Sequence, residues 1–344
     1  MKTLQIRGRE KTSGIHVGAS LADLGDYLPC SRTIIITDEN VAGHYADRFP
    51  PGDIVQIGTG EAAKTLETVS MLYKELIARQ ADRSVFLAGI GGGIVCDVTG
   101  FVASTYLRGV RFGYCPSTLL AQVDASVGGK TGVNFEGYKN MVGVFNQPEF
   151  VLCDPLLLRT LPEREVACGF AEVVKHAAIA DADYFAFLER ESVRACCLEA
   201  GVMERVIHDS VGIKAAIVGR DEKEKGERRK LNFGHTFGHG LEKTTDFAHG
   251  EAVSIGMMVA AELSRRRGLL SPGSVDRLEA LLAAFHLPVA VPADVDREQL
   301  MDAVCRDKKR AGERLYFVLL RQLGEAVVEP VSIRELEESL SACL

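Results

Sequence analysis

An α/β protein in two parts is what the sequence predicts: a parallel-sheet domain over residues 1–154 and a mainly α-helical domain over residues 155–344. Three observations predict it. At 344 residues the chain is long for one hydrophobic core, and chains of this size usually divide. Short β-branched runs alternate with helix-period segments in the first part, the pattern of a parallel sheet. After Asp154-Pro155 the strand-like runs thin out and long helix-period segments take over.

The elements follow in order. Thr33-Ile34-Ile35-Ile36-Thr37 is a β-branched strand closed by the turn-forming Asp38-Glu39-Asn40. Asp53 to Ile57 forms a second short strand, and Ala62 to Arg79 carries Leu66, Val69, Leu72, Tyr73 and Leu76 at helical spacing. Ser84 to Ile90 is a third, apolar strand, and Ile94 to Ala103 the helix after it. In the second part, Glu163 to Leu188 and Glu251 to Arg267 keep a helical period. The charge run Arg220 to Lys230 reads as a solvated loop, and there is no internal repeat.

Hydrophobic residues make up 47% and charged residues 25%, the composition of a globular protein able to build a sizeable core. Forty basic against 47 acidic residues give a net charge of −7, which disfavours nucleic acid as a partner while leaving room for a local anion site. Nine scattered cysteines, with Cys196-Cys197 the only close pair, read as reduced thiols. The start Met1-Lys2-Thr3-Leu4-Gln5 lacks an apolar run behind a basic end, and no stretch reaches the about 18 apolar residues of a membrane span. The expectation is a cytoplasmic protein without a membrane partner.

Three segments carry chemistry. Gly91-Gly92-Gly93 follows a strand and opens a helix, where unpaired N–H groups and the positive dipole end suit a pyrophosphate; it is not the G-x-G-x-x-G fingerprint, and a tight turn explains it as well. Gln122 to Asn134 packs small residues around Asp124 and Lys130. Its end resembles a Walker A loop but has Ala125 where the earlier glycine is required, so it reads as an anion loop with Arg108 and Lys139-Asn140 nearby in sequence. In Asn232 to His239 two histidines four residues apart share a helix face, and His249 opens the next element.

Imidazole is the commonest metal ligand, and a catalytic zinc takes three protein ligands. Thr236 replaces the glutamate of H-E-x-x-H, which disfavours a metalloprotease, and core or capping histidines remain the alternative. Glu172, in a mostly apolar helix, is either an exposed partner of Lys175 or His176 or a buried carboxylate that needs a metal or lysine. His16, His44, His208 and His286 have no ligand-like neighbours.

Together these segments resemble the 3-dehydroquinate synthase family, from the turn at Asp38 to Asp307-Lys308-Lys309. The specific parts are Gly91 to Asp97, Arg108-Gly109, Gln122 to Asn134, Lys139-Asn140, Phe145 to Pro148, Leu161 to Glu165, Asn232 to His239 and His249 to Val253. The resemblance implies a Rossmann-like N-terminal domain that holds NAD, a helical C-terminal domain, an active site in the cleft between them, and a homodimer in which Arg108 reaches the partner's site. By position it places Asp38, Asn40, Glu61, Lys64, Gly92, Gly93, Asp97, Ser117, Thr118, Lys130 and Lys139 at the cofactor. Glu172, His235 and His249 match the zinc ligands, with cobalt the other candidate metal, and His239 faces substrate. Asp124, Lys130, Asn140, Arg108 and His239 match groups at the substrate phosphate, and Lys214, Arg228 and Asn232 those at its carboxylate. Lys175 completes the catalytic set.

The reaction so implied turns 3-deoxy-D-arabino-heptulosonate 7-phosphate into 3-dehydroquinate and phosphate. It runs through transient oxidation by NAD, phosphate elimination, re-reduction and an aldol closure. Two positions depart from the family pattern: Cys96 stands where glycine is common and Ser117 where threonine is common. The step from His239 to His249 is also short for the family. Three rivals compete: cyclases of the valiolone or scyllo-inosose type, whose substrates lack the carboxylate; an iron-containing-type polyol dehydrogenase with net hydride exchange; and a cofactor-binding scaffold without activity.

Overall fold

The computed structural model describes residues 1–8, 11–29, 32–224, 226–306 and 315–340. Asp307, Lys308 and Lys309, where the family resemblance ends, lie outside the described residues. The chain forms two compact units, Met1–Pro162 with Met203–Gly219, and Glu163–Val202 with Arg220–Leu344. Among the described residues no helix is long and apolar enough to cross a membrane.

The first unit is built on strands β1 (Lys2–Arg7), β2 (Thr12–Val17), β3 (Thr33–Asp38), β4 (Asp53–Ile57), β5 (Phe86–Gly91), β6 (Arg111–Pro116), β7 (Lys130–Phe135), β8 (Tyr138–Phe145) and β9 (Phe150–Cys153). Seven of them form one sheet in the order β1-β2-β9-β6-β5-β3-β4. All neighbours pair in parallel except β1 and β2. Ile34, Ile35 and Ile36 are all fully buried, as expected of a parallel strand covered on both faces. Helices α1 (Leu24–Tyr27), α2 (Glu39–Tyr45), α3 (Leu66–Ala78) and α4 (Gly93–Thr105) connect these strands. Asp38-Glu39-Asn40 is not a turn: the Asp38 carboxylate caps α2, Oδ1 accepting from Val41 N at 2.9 Å.

From β3 the chain runs outward to β4 and then back across to β5, β6 and β9, so the sheet changes direction between β3 and β5. Open α/β sheets bind ligands at the carboxyl ends of strands at such a point. The register sets Thr37 beside Ile90 and Gly91 beside Pro116, which brings Asp38, the glycine triplet and Ser117 to one edge of the sheet.

The second unit is assembled from α5 (Glu163–Ala180), α6 (Ala182–Cys196), α8 (His235–Thr244), α9 (His249–Arg266), α10 (Pro272–Ala284), α11 (Arg297–Arg306) and α12 (Ile333–Leu340), with α7 (Ala200–Arg220) between α6 and α8 lying mostly in the first unit. The segment read as one helix, 163–188, breaks at Asp181, whose side chain caps α6 through Tyr184 N at 2.8 Å. The charge run is not simply a solvated loop, because Glu227–Asn232 forms a 3₁₀ turn and Arg228 is buried. A hairpin, β10 (Leu315–Gln322) with β11 (Glu325–Val331), was not legible in the sequence; Gly324 N at its turn donates to Ala178 O of α5 at 2.8 Å.

Helices α8 and α9 touch backbone to backbone. Gly256 of α9 lies where a Cβ would collide with Gly234 O, and Gly234, at φ 79°, lies immediately before His235. This approach sets the separation of the two helices that carry the histidines. Gly256→Ala is expected to cost about 1–3 kcal/mol, the range for overpacking, read as a lower denaturant midpoint with an unchanged slope; an unaltered midpoint would contradict the close packing.

Candidate functional site

In the first unit, α4 is preceded at its cap position by Gly92, which has no side chain to cap the first-turn N–H groups, so they face whatever approaches the end of β5. A Cβ on Gly92 would come within 3.2 Å of Thr118 Cγ2, so the absent side chain keeps this edge open. Ser117 N donates to Gly91 O at 2.9 Å, and Thr118 Oγ1 accepts from Ala121 N at 3.1 Å. Cys96 is buried, with Sγ 3.9 Å from Gly91 O, and burial pushes its thiol well above the usual range. Asn40 is exposed on α2.

A polar network adjoins this edge. Buried Lys64 donates through Nζ to Asp97 Oδ2 at 2.6 Å and to Asn140 Oδ1 at 2.5 Å. Burial raises the Asp97 carboxyl above its ordinary value, opposed by the Lys64 ammonium. Asn134 joins the other members: its Nδ2 donates to Glu61 Oε1 at 2.7 Å, its Oδ1 accepts from Asn140 N at 2.8 Å, and its N–H donates to Lys64 O at 2.9 Å. Glu61, Lys64 and Asn140 are thus held together by Asn134, to which the sequence assigned no role, and Asp97 joins them through Lys64. Asn140 sits at φ 55°, a conformation asparagine tolerates better than most residues.

Lys214 of α7 donates to Asp124 O at 2.6 Å and to Asp124 Oδ1 at 2.7 Å, which draws this distant helix onto the anion loop. Arg108 is exposed at φ 66° in the turn after α4, and Lys130 and Lys139 are exposed on the β7–β8 hairpin.

In the second unit the centre is Glu172. Every residue of α5 from Val166 to Ile179 is buried, and Glu172 is 0% exposed, not the exposed residue that the sequence offered as one alternative. One turn along the helix, Lys175, also buried, donates to Glu172 Oε2. The other oxygen, Oε1, lies 3.6 Å from His235 Nε2 and 3.5 Å from His249 Nε2. The donor atoms of Glu172, His235 and His249 all lie within 4.8 Å of one another. His239 is exposed on α8, its ring edge-on to that of His235 at 5.4 Å.

The ring nitrogens of the two histidines are distinguished by their partners. His235 Nδ1 is 3.2 Å from Phe233 O and His249 Nδ1 is 3.4 Å from Glu242 Oε1, so each ring aims Nε2 at Glu172. Burial, reinforced by the Lys175 cation, holds His235 down at about 3, so it is neutral at pH 7. For His249 burial works in the same direction, but Glu172 and Glu242 prevail and raise it. One carboxylate oxygen and two Nε2 atoms, each imidazole oriented from its other nitrogen, are a donor set that fits zinc or cobalt. Just before α8, Arg228 donates through Nη1 to Glu222 O at 2.6 Å and Asn232 donates to Glu224 Oε1 at 2.6 Å.

Two family models match this chain, 3-dehydroquinate synthase N-terminal over residues 54–168 and 3-dehydroquinate synthase C-terminal over residues 169–310. The chain belongs to the 3-dehydroquinate synthase family. The 3-dehydroquinate synthase of Halorhodospira halophila is 43% identical over 338 residues, covering 95% of each chain. Among solved structures, a 2-epi-5-epi-valiolone synthase from Streptomyces hygroscopicus with NAD+ and Zn2+ bound is 28% identical with a TM-score of 0.89, over 100% of this chain and 99% of that one. A 2-deoxy-scyllo-inosose synthase complexed with carbaglucose-6-phosphate, NAD+ and Co2+ is 26% identical with a TM-score of 0.88, over 100% of both chains. The fold of these relatives, a parallel-sheet domain followed by a helical one, is the fold described above.

Proposed function

We propose that this protein converts 3-deoxy-D-arabino-heptulosonate 7-phosphate into 3-dehydroquinate and inorganic phosphate, using NAD held by the first unit and a divalent cation held by Glu172, His235 and His249. The observation that carries this reading is the convergence of two Nε2 atoms on one buried carboxylate, in a chain 43% identical to a 3-dehydroquinate synthase. Bound NAD supplies a hydride acceptor that gives the hydride back, and the cation supplies Lewis acidity at a substrate hydroxyl.

The chain's own residues do the remaining work. The N–H groups at the start of α4 and the Lys64–Asp97 pair suit the NAD pyrophosphate and its surroundings, and Asp38, Asn40, Glu61, Ser117, Thr118 and Lys139 are assigned to the same cofactor. Arg108, Asp124, Lys130 and Asn140 are assigned to the substrate phosphate, and Arg228 and Asn232 to its carboxylate. Lys214, held in place by Asp124, adds an ammonium group for an anion. Lys175 donates to the Glu172 carboxylate and so gives it a partner within an apolar helix. Because the carboxylate group distinguishes this substrate from those of the valiolone and inosose cyclases, Arg228 and Asn232 favour the dehydroquinate reading. We further infer a cytoplasmic homodimer that takes a small sugar acid phosphate and no nucleic acid.

With the heptulosonate phosphate, purified protein should release phosphate in step with product while NADH absorbance stays flat. A steady rise in NADH would instead establish a net dehydrogenase, and equal turnover of sedoheptulose 7-phosphate a neighbouring cyclase. Arg228→Ala should lower kcat/KM by roughly 30-fold, the equivalent of about 2 kcal/mol for one partner of a desolvated ion pair. Zinc content and NAD affinity of that variant should match the parent; near-parental efficiency would remove Arg228 from the carboxylate site.

A further inference from the structure

Beside the proposed ligands Glu172, His235 and His249 stands a fourth residue, Glu242, on the Nδ1 side of His249. Glu242 stands on α8 seven residues after His235, two turns along the same helix face. Its side chain is 8% exposed, and Oε1 lies 3.4 Å from His249 Nδ1, while His249 Nε2 lies 3.5 Å from Glu172 Oε1 on the opposite side of the ring. An imidazole held from Nδ1 by an acceptor carries its proton there and turns the lone pair of Nε2 outward, the form in which histidine binds a metal.

The two histidines differ in how they are held. The Nδ1 partner of His235 is the carbonyl of Phe233, two residues away on its own chain segment, so the local backbone fixes that ring. His249 is the first residue of α9, and its Nδ1 partner is a side chain from another helix. The N-terminal end of α9 is itself secured: Arg164 grips Glu251 through two hydrogen bonds of 2.7 and 2.6 Å, and Glu251 Oε2 accepts from Ala248 N at 2.8 Å. The backbone of His249 is therefore fixed independently of Glu242, which leaves Glu242 to set the rotation of the ring.

We propose that Glu242 is a positioning residue for the metal centre, accepting from His249 Nδ1 and so presenting Nε2 to a divalent cation shared with Glu172 and His235. The inference rests on the metal reading above and deepens it. Replacement of the outer partner of a metal-bound histidine typically costs 10- to 100-fold in metal affinity. Glu242→Met keeps length and helix propensity but cannot accept this bond, Glu242→Gln keeps an acceptor oxygen, and Glu242→Ala repeats the loss with a smaller side chain should the methionine variant fold poorly.

The readouts are the zinc dissociation constant against a competing chelator, the visible spectrum of the cobalt-loaded protein, and the melting temperature of the metal-free protein. Expected are a zinc affinity about 10- to 100-fold weaker in Glu242→Met or Glu242→Ala with an altered cobalt spectrum, recovery to within about threefold in Glu242→Gln, and metal-free melting temperatures like that of the parent. Parental zinc affinity in Glu242→Met and Glu242→Ala overturns the inference, as does a loss in Glu242→Gln as large as in Glu242→Met. A loss matched by an equal drop in metal-free stability shows a structural role and overturns it as well. A parent protein that takes up no zinc overturns the metal reading itself, so the two failures are told apart.

Discussion

A carboxylate buried inside an apolar helix is the constraint on which the second unit depends. An isolated charge at the position of Glu172 would be strongly unfavourable, and breaking a buried pair typically costs about 3–5 kcal/mol. The fold answers with partners on both oxygens: the Lys175 ammonium on Oε2 from the same helix, and the His235 and His249 imidazoles around Oε1 from two others. The histidines reach it because α8 and α9 approach closely at Gly234 and Gly256, and because each begins at the residue that carries the imidazole. Packing of small residues and placement of the two imidazoles are therefore one design.

In the first unit the corresponding constraint is topological. The reversal between β3 and β5 opens the carboxyl edge of the sheet, and the chain fills that edge with Asp38, the glycine triplet and Ser117. The β7–β8 hairpin then folds back to deliver Asn134 and Asn140 to Lys64. Lys64 lies 33 residues from Asp97 and 76 from Asn140, so this network is a product of tertiary structure and not of any local motif.

What was legible in the sequence follows the same division between local and distant. The strand Asp53–Ile57 has the bounds read from sequence, because Pro50-Pro51-Gly52 precede it and force a turn. Asp38-Glu39-Asn40 misled because the side-chain chemistry that favours a turn also caps a helix. Leu315 to Leu320 is a short apolar run whose periodicity does not separate strand from helix, so the β10–β11 hairpin went unread. That Met203–Gly219 packs with the first unit is invisible to composition, since it follows from contacts such as Lys214 with Asp124, 90 residues apart. At the candidate metal centre, the spacing of His235 and His239 pointed only to a shared helix face; the grouping of Glu172, His235 and His249 without His239 came from the family resemblance, and the structure sets His249 beside Glu172 with His239 exposed. Glu242 had a signal that went unused: it repeats the helical spacing of His235 and His239 by a further turn.

The account rests on one claim about atoms, that the Glu172 carboxylate and the Nε2 atoms of His235 and His249 are ligands of a single cation. Anomalous diffraction at the zinc edge, from crystals of the zinc-loaded protein, tests it directly. The account predicts one dominant peak about 2.0–2.2 Å from a Glu172 oxygen and from both Nε2 atoms. A zinc peak at other residues, or a protein that binds zinc stoichiometrically with His249 turned away from it, would contradict the account.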